Sequence, residues 1–171
     1  MRPPLQPIAP CIDDPIELLM ACHEKVRRFA SLTVKLRDHL TRKGPDIQAQ
    51  EAAQSILRYF NIAAPLHHDD EESDLFPALR QLGHEALNTS MAALEAQHAE
   101  LAMLWQSLGP WLQAISQGTA HAPPATVDDF ALAYPAHAQR EEDEVYPFAS
   151  QLASAQIKRI SDAMVARRTA S

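Results

Sequence analysis

The chain has 171 residues, enough for one domain with a real core and short of two comfortable ones. An apolar content of 46% excludes wholesale disorder, and a formal net charge of −7 argues against a nucleic-acid surface, which needs clustered Lys and Arg. No run of about twenty apolar residues crosses a membrane, and the proline-broken start "MRPPLQPIAP" lacks a secretory core, so a cytoplasmic location is expected.

With only four glycines and abundant Ala, Leu, Gln and Glu, the composition favours helix over sheet. Residues 1–12, which include Cys11, are expected to form an extended arm, and 13–168 a single domain. "DDP" at 13–15 starts a first helix, with acids at the positive end of the dipole and Pro15 in the first turn. Ile16, Leu19, His23, Val26 and Ala30 form its apolar stripe. The helix is expected to reach Thr41, where "KGPD" at 43–46 breaks it. A second helix starts near Ile47 and carries Phe60, Ala63, His67, Glu71, Leu75 and Ala78 on one side, ending at Gly83. A third, from about Glu85 to Gln117, sets Met91, Leu94, His98, Leu101 and Trp105 in register. After the loop "GTAHAPP", a fourth carries Phe130, Ala133, His137, Glu141, Val145, Phe148 and Leu152. A short amphipathic segment, 154–168, follows and either caps the bundle or makes a dimer contact. The predicted fold is all-α: an up-down-up-down four-helix bundle with an N-terminal arm and a short extra C-terminal helix.

The chain repeats itself. "PLHHDDEESDLFP" at 65–77 returns seventy residues later as "PAHAQREEDEVYP" at 135–147. Phe60/Phe130, Pro65/Pro135, His67/His137, Glu71/Glu141, Glu72/Glu142 and Pro77/Pro147 are identical across this offset. Proline removes a helical hydrogen bond, so each copy is expected to be either kinked or interrupted at its prolines. A His and a Glu four residues apart sit about 40° apart around the axis and about 6 Å along it, so both can face one object. In the first copy both His67–Glu71 and His68–Glu72 have this spacing; in the second, Ala138 leaves only His137–Glu141. The register therefore selects His67–Glu71, and His68 falls on a poorer stripe with Asn61 and Pro65.

His23 and His98 lie on the stripes of the first and third helices. Four imidazoles and two carboxylates thus converge on one interior. Buried carboxylates without partners cost several kcal/mol each, and no Lys or Arg lies on these stripes. Histidine plus carboxylate suits first-row metals such as iron, manganese or zinc, and six ligands suit two ions bridged by the carboxylates. Asp69, Asp70, Ser73 and Asp74 read as a solvated acidic face, and His39, His84 and His121 as surface residues.

The motifs "HHDDEESDLFP" and "HAQREEDEVYP", with "ACHEKVRRF" upstream and "LEAQHAEL" between, resemble the hemerythrin-like family of HHE cation-binding domains over residues 13–152. The resemblance implies a non-haem di-iron site with His23, His67, Glu71, His98, His137 and Glu141 as ligands and the two glutamates bridging. It implies two iron ions as cofactor, with manganese or zinc as alternatives, and O2, NO or peroxide as the small-molecule partner. Oxygen-carrying members have a further histidine one turn before the third-helix ligand; here that position is Leu94, and Glu95 or a water is the expected substitute. The expected function is a di-iron protein that binds O2 or a related small ligand for sensing, storage or carriage. The alternative is a di-iron oxidase or peroxidase, with Tyr59, Tyr134 or Tyr146 as a redox partner, or an iron-handling protein.

Overall fold

A computed structural model describes residues 12–170, all helix and connecting turns with no strand among them. The expected arm, with Cys11, lies outside the described residues apart from Ile12. Helix α1 spans Pro15–Lys43. Asp14 caps its start, its Oδ1 accepting from the Ile16 amide at 2.8 Å, and Gly44 ends it at a φ of 70°, where a Cβ would be strained. Asp46 caps α2, Ile47–Arg58, in the same way through the Ala49 amide at 2.9 Å.

Beyond α2 the chain stays helical through two π turns, Tyr59–Ala63 and Glu71–Leu75, with α3 (Ala64–Asp70) between them and α4 (Phe76–Arg80) after. Each π turn ends two residues before a proline. The Ala64 amide reaches back five residues to the Tyr59 carbonyl, and the Phe76 amide to that of Glu71. Residues 61 and 73, whose carbonyls would collide with the Pro65 and Pro77 rings in an α-helix, both lie inside the widened turns. The first copy is thus neither broken nor straight.

Helix α5, Glu85–Ser116, runs on through Pro110, and α6, Val127–Glu144, through Pro135. The second copy handles its last proline differently from the expected continuous fourth helix. Val145 leaves helical geometry at φ −123°, and Pro147 enters the first turn of a 3-10 segment, Tyr146–Gln151, where its missing N–H costs nothing.

α1 packs against α6 and α2, and α5 against α2 and α6. α7, Ser154–Thr169, lies across α1 and α3. Two apolar clusters fill the interior. One contains Val26, Phe60, Leu101, Trp111, Phe130 and Tyr134. The other contains Leu19, Leu75, Phe76, Met91, Leu94, Val145 and Met164.

α7 is held by charge as well as by Ile160 and Met164, which are buried in the second cluster. Asp70 is completely buried and accepts from both Arg167 and Arg168, the latter at 2.6 Å from Oδ2, while Arg167 also reaches Asp74 at 2.7 Å. This corrects the solvated reading of Asp70 and Asp74: their acids face a helix that lies far away in sequence. Among the described residues, no helix is long and apolar enough to cross a membrane.

Candidate metal centre

Along the bundle the buried histidines and glutamates fall between the two apolar clusters. α1 places His23 between Leu19 and Val26, and α5 places His98 between Leu94 and Leu101. His67 and Glu71 sit between Ala64 and Leu75, and His137 and Glu141 between Tyr134 and Val145. All six are at most 6% exposed.

They converge tightly. His23 Nε2 lies 3.1 Å from His67 Nε2 and 3.1 Å from Glu141 Oε2. His67 Nε2 lies 3.5 Å from Glu71 Oε1, and the other Glu71 oxygen lies 3.6 Å from His98 Nε2. Glu141 Oε1 lies 2.9 Å from His137 Nε2 and 3.4 Å from His98 Nε2. Each carboxylate therefore has one oxygen toward each of two imidazole groups.

The second group holds a residue that the sequence reading set aside. His68, His98 and His137 bring their nitrogens within 4.8 Å of one another, as do the donor atoms of His23, His67, Glu71 and Glu141. The half-buried His68 ring stacks on His98 with centroids 3.9 Å apart. The fifth histidine sought on the third helix is thus next to His67 on the second. A single-stripe criterion could not find it, because the site lies on both sides of the ridge that carries residues 67 and 68. The doubled histidine in "HHDDEE" was the available signal.

The outer ring nitrogens are fixed by oxygens. His23 Nδ1 donates to Glu142 at 2.8 Å, His98 Nδ1 to Glu72 at 2.5 Å, and His137 Nδ1 to Gln97 at 3.0 Å. Those bonds place the protons on Nδ1 and turn the Nε2 lone pairs inward. The second glutamate of each repeat thus braces a histidine on another helix, and Arg27 holds Glu142 from outside at 2.9 Å.

Inside the cluster, not every short distance amounts to a hydrogen bond. Glu71 Oε2, Glu141 Oε2 and His137 Nε2 are buried without a hydrogen-bond partner, and so is His67 Nδ1 at the cluster's edge. Acceptors that face one another across about 3 Å repel unless a proton or a cation sits between them. This donor set of imidazole and carboxylate fits a first-row metal ion.

Electrostatics agree. Burial pushes the His67 imidazole down to about 3, so it is neutral and able to ligate. Burial and the neighbouring Glu141 carboxylate push Glu71 well up. Burial also opposes the charge on Glu141, but His137, His23 and His98 overcome it and hold that carboxyl well below its ordinary value. Without a cation, only one of the two acids is comfortably ionised.

Of the three tyrosines considered as redox partners, Tyr59 is turned away, its hydroxyl donating to the Cys22 carbonyl at 2.9 Å. Tyr146 joins the cluster: its hydroxyl donates to Glu71 Oε1 at 2.5 Å and lies 3.2 Å from His23 Nε2. Tyr134 helps line a cleft of about 250 Å3 whose wall also includes His68, His98, Phe60 and Trp105. His39 pairs with Asp46, and His84 with Gln151, both outside the cluster.

The model of the hemerythrin HHE cation binding domain matches residues 14–149. An uncharacterized protein of Haemophilus influenzae is 39% identical over 131 residues, covering 76% of each chain. With a buried histidine–glutamate cluster able to hold a metal inside the matched span, the chain belongs to the hemerythrin HHE cation-binding domain family.

Proposed function

We propose that the chain holds a non-haem di-iron centre and binds O2 or a related small ligand, NO or peroxide, for sensing, storage or carriage. His23 and His67 serve one iron, and His68, His98 and His137 the other. Glu71 and Glu141 bridge the pair. The observation that carries this reading is the position of the two buried carboxylates, each with one oxygen toward either imidazole group. The centre supplies a place where a small ligand can bind reversibly and exchange electrons. The up-down-up-down order is supported by the core: successive long helices pass from one apolar cluster to the other in alternate directions.

Access favours small-ligand binding at the second group. His23, His67, Glu71 and Glu141 are enclosed, whereas the cleft reaches the His68–His98 ring pair. A peroxidase reading is favoured by one feature, the aromatic wall of Phe60, Trp105 and Tyr134, which suits a flat organic reductant.

The test is anaerobic iron loading followed by metal analysis and admission of air. About two irons per chain are expected, with visible absorption that changes in air and reverts under inert gas. His68→Ala lowers the iron content, and His39→Ala leaves it unchanged. A stoichiometry near zero, or equal losses in both variants, rejects the reading. Steady-state turnover of peroxide with an aromatic reductant selects the peroxidase alternative.

A further inference from the structure

The two copies of the repeat differ at two positions that both touch the site. The first copy has His68 where the second has Ala138, and the second has Tyr146 where the first has Phe76. His68 adds a third imidazole to the His98–His137 group. Tyr146 stands on the opposite side, where only two imidazoles are present.

The Tyr146 hydroxyl lies 3.2 Å from His23 Nε2 and 2.5 Å from Glu71 Oε1. His23 Nε2 in turn lies 3.1 Å from both His67 Nε2 and Glu141 Oε2. The phenol oxygen is therefore as close to the inward-facing donors as they are to one another. Its ring is 4% exposed and stacks on His23 with centroids 5.3 Å apart, which fixes the hydroxyl in place. Phe76 fills the equivalent place in the first copy entirely buried and without an oxygen.

We propose that Tyr146 is a ligand of the His23–His67 metal, bound as phenolate when that ion is iron(III). The inference rests on the di-iron reading above. The exchange is balanced: the hydroxide that accompanies the ion takes the phenol proton and leaves as water, and the phenolate oxygen takes its place. Each iron then has three side chains of its own and shares the two carboxylates. One set is His23, His67 and Tyr146; the other is His68, His98 and His137. A hard anionic oxygen favours iron(III) over iron(II), so the two irons differ in reduction potential, with the buried one harder to reduce.

The experiment loads the full chain with iron(II) anaerobically, oxidises it with ferricyanide, and records visible absorption and resonance Raman spectra. The expected result is a phenolate-to-iron(III) charge-transfer band whose Raman modes are tyrosine ring modes, shifted by ring-deuterated tyrosine. Tyr146→Phe retains about two irons per chain but loses the band, while Tyr134→Phe keeps it. Phe76 shows that the repeat accepts phenylalanine at this place, and the isotope shift in the unaltered chain decides the matter if the variant does not fold. Two irons without tyrosine modes, or a band that survives in Tyr146→Phe, overturns the phenolate and leaves the di-iron reading intact. A chain that takes up no iron overturns both.

Discussion

Asp70 offers the sharpest test of how the site is braced. Its carboxylate is completely buried beside His67 and Glu71, and its partners are the guanidinium groups of Arg167 and Arg168 on α7. Removing one partner of a buried ion pair costs about 3–5 kcal/mol, because the other charge is left uncompensated. Here the two arginine side chains keep 20% and 27% of their surface, and Arg167 retains Asp74, so the lower end, about 3 kcal/mol, applies to Asp70→Ala. For a chain of this size that corresponds to a fall in Tm of about 6–12 °C. Urea unfolding of the metal-free protein provides the assay, read as a shift of the midpoint at constant slope. A double-mutant cycle with Arg168→Ala isolates the pair, with a coupling of about 1–3 kcal/mol expected. A loss within about 0.5 kcal/mol, the usual range for an exposed residue, would show that α7 is not held by this clamp.

The glutamates behind the imidazoles should tune metal affinity. Glu142→Gln is expected to weaken iron binding about 10–100-fold, and Glu72→Gln less, because Glu72 is 44% exposed and Glu142 only 12%; competition with a chelator measures both, and equal effects would count against the role of burial. The stability of the metal-free protein should peak at about pH 6.5. As pH falls below about 6.5, the unfolded chain protonates His67 and the folded one, with that imidazole lowered to about 3, does not, which costs about 1.4 kcal/mol per pH unit. As pH rises above about 4.5, the folded chain keeps a proton on Glu71 that the unfolded one has lost, so stability falls in that direction too. Burial lowers His68 as well as His67, so between about pH 4.5 and 6.5 the two imidazoles outweigh Glu71 and stability rises with pH; above about 6.5 the Glu71 loss is what remains, and below about pH 4.5 the depressed Glu141 steepens the acid loss. Chemical denaturation from acid to mildly alkaline pH checks it, and stability that keeps rising above about pH 6.5 would contradict it.

The apolar stripes of the sequence located the helices and brought out the six convergent side chains, because burial and the 3.6-residue period act on neighbouring residues. The first helix ends within two residues of Thr41, at Lys43, and the third within one of Gln117, at Ser116. What local periodicity could not show was long-range pairing. Asp70 and Asp74 look like part of a charged surface until α7 folds across them, and their partners lie more than ninety residues away. His68 was hidden for a different reason. A stripe assigns one face to each helix, whereas this helix touches the site with two adjacent residues.

That double contact also explains why the repeat spells its acids as pairs. Adjacent residues on a helix point about 100° apart, so neighbours cannot share one target. Glu71 and Glu141 enter the cluster, and Glu72 and Glu142 turn to the imidazoles of His98 and His23 on adjoining helices. Each repeat therefore supplies an inner carboxylate and an outer brace, and the brace serves a helix that has no acid of its own in the cluster. Pseudo-symmetry builds this frame twice, but a strictly symmetric frame would give the two imidazole groups the same surroundings. The departures at His68 and Tyr146 break that equivalence, with a half-exposed imidazole beside a cleft on one side and an enclosed phenol on the other. In the proposed reading, a small ligand arriving through the cleft would meet the imidazole-rich group first. In that reading the buried side would be shielded from direct exchange and would act on the ligand only through Glu71 and Glu141.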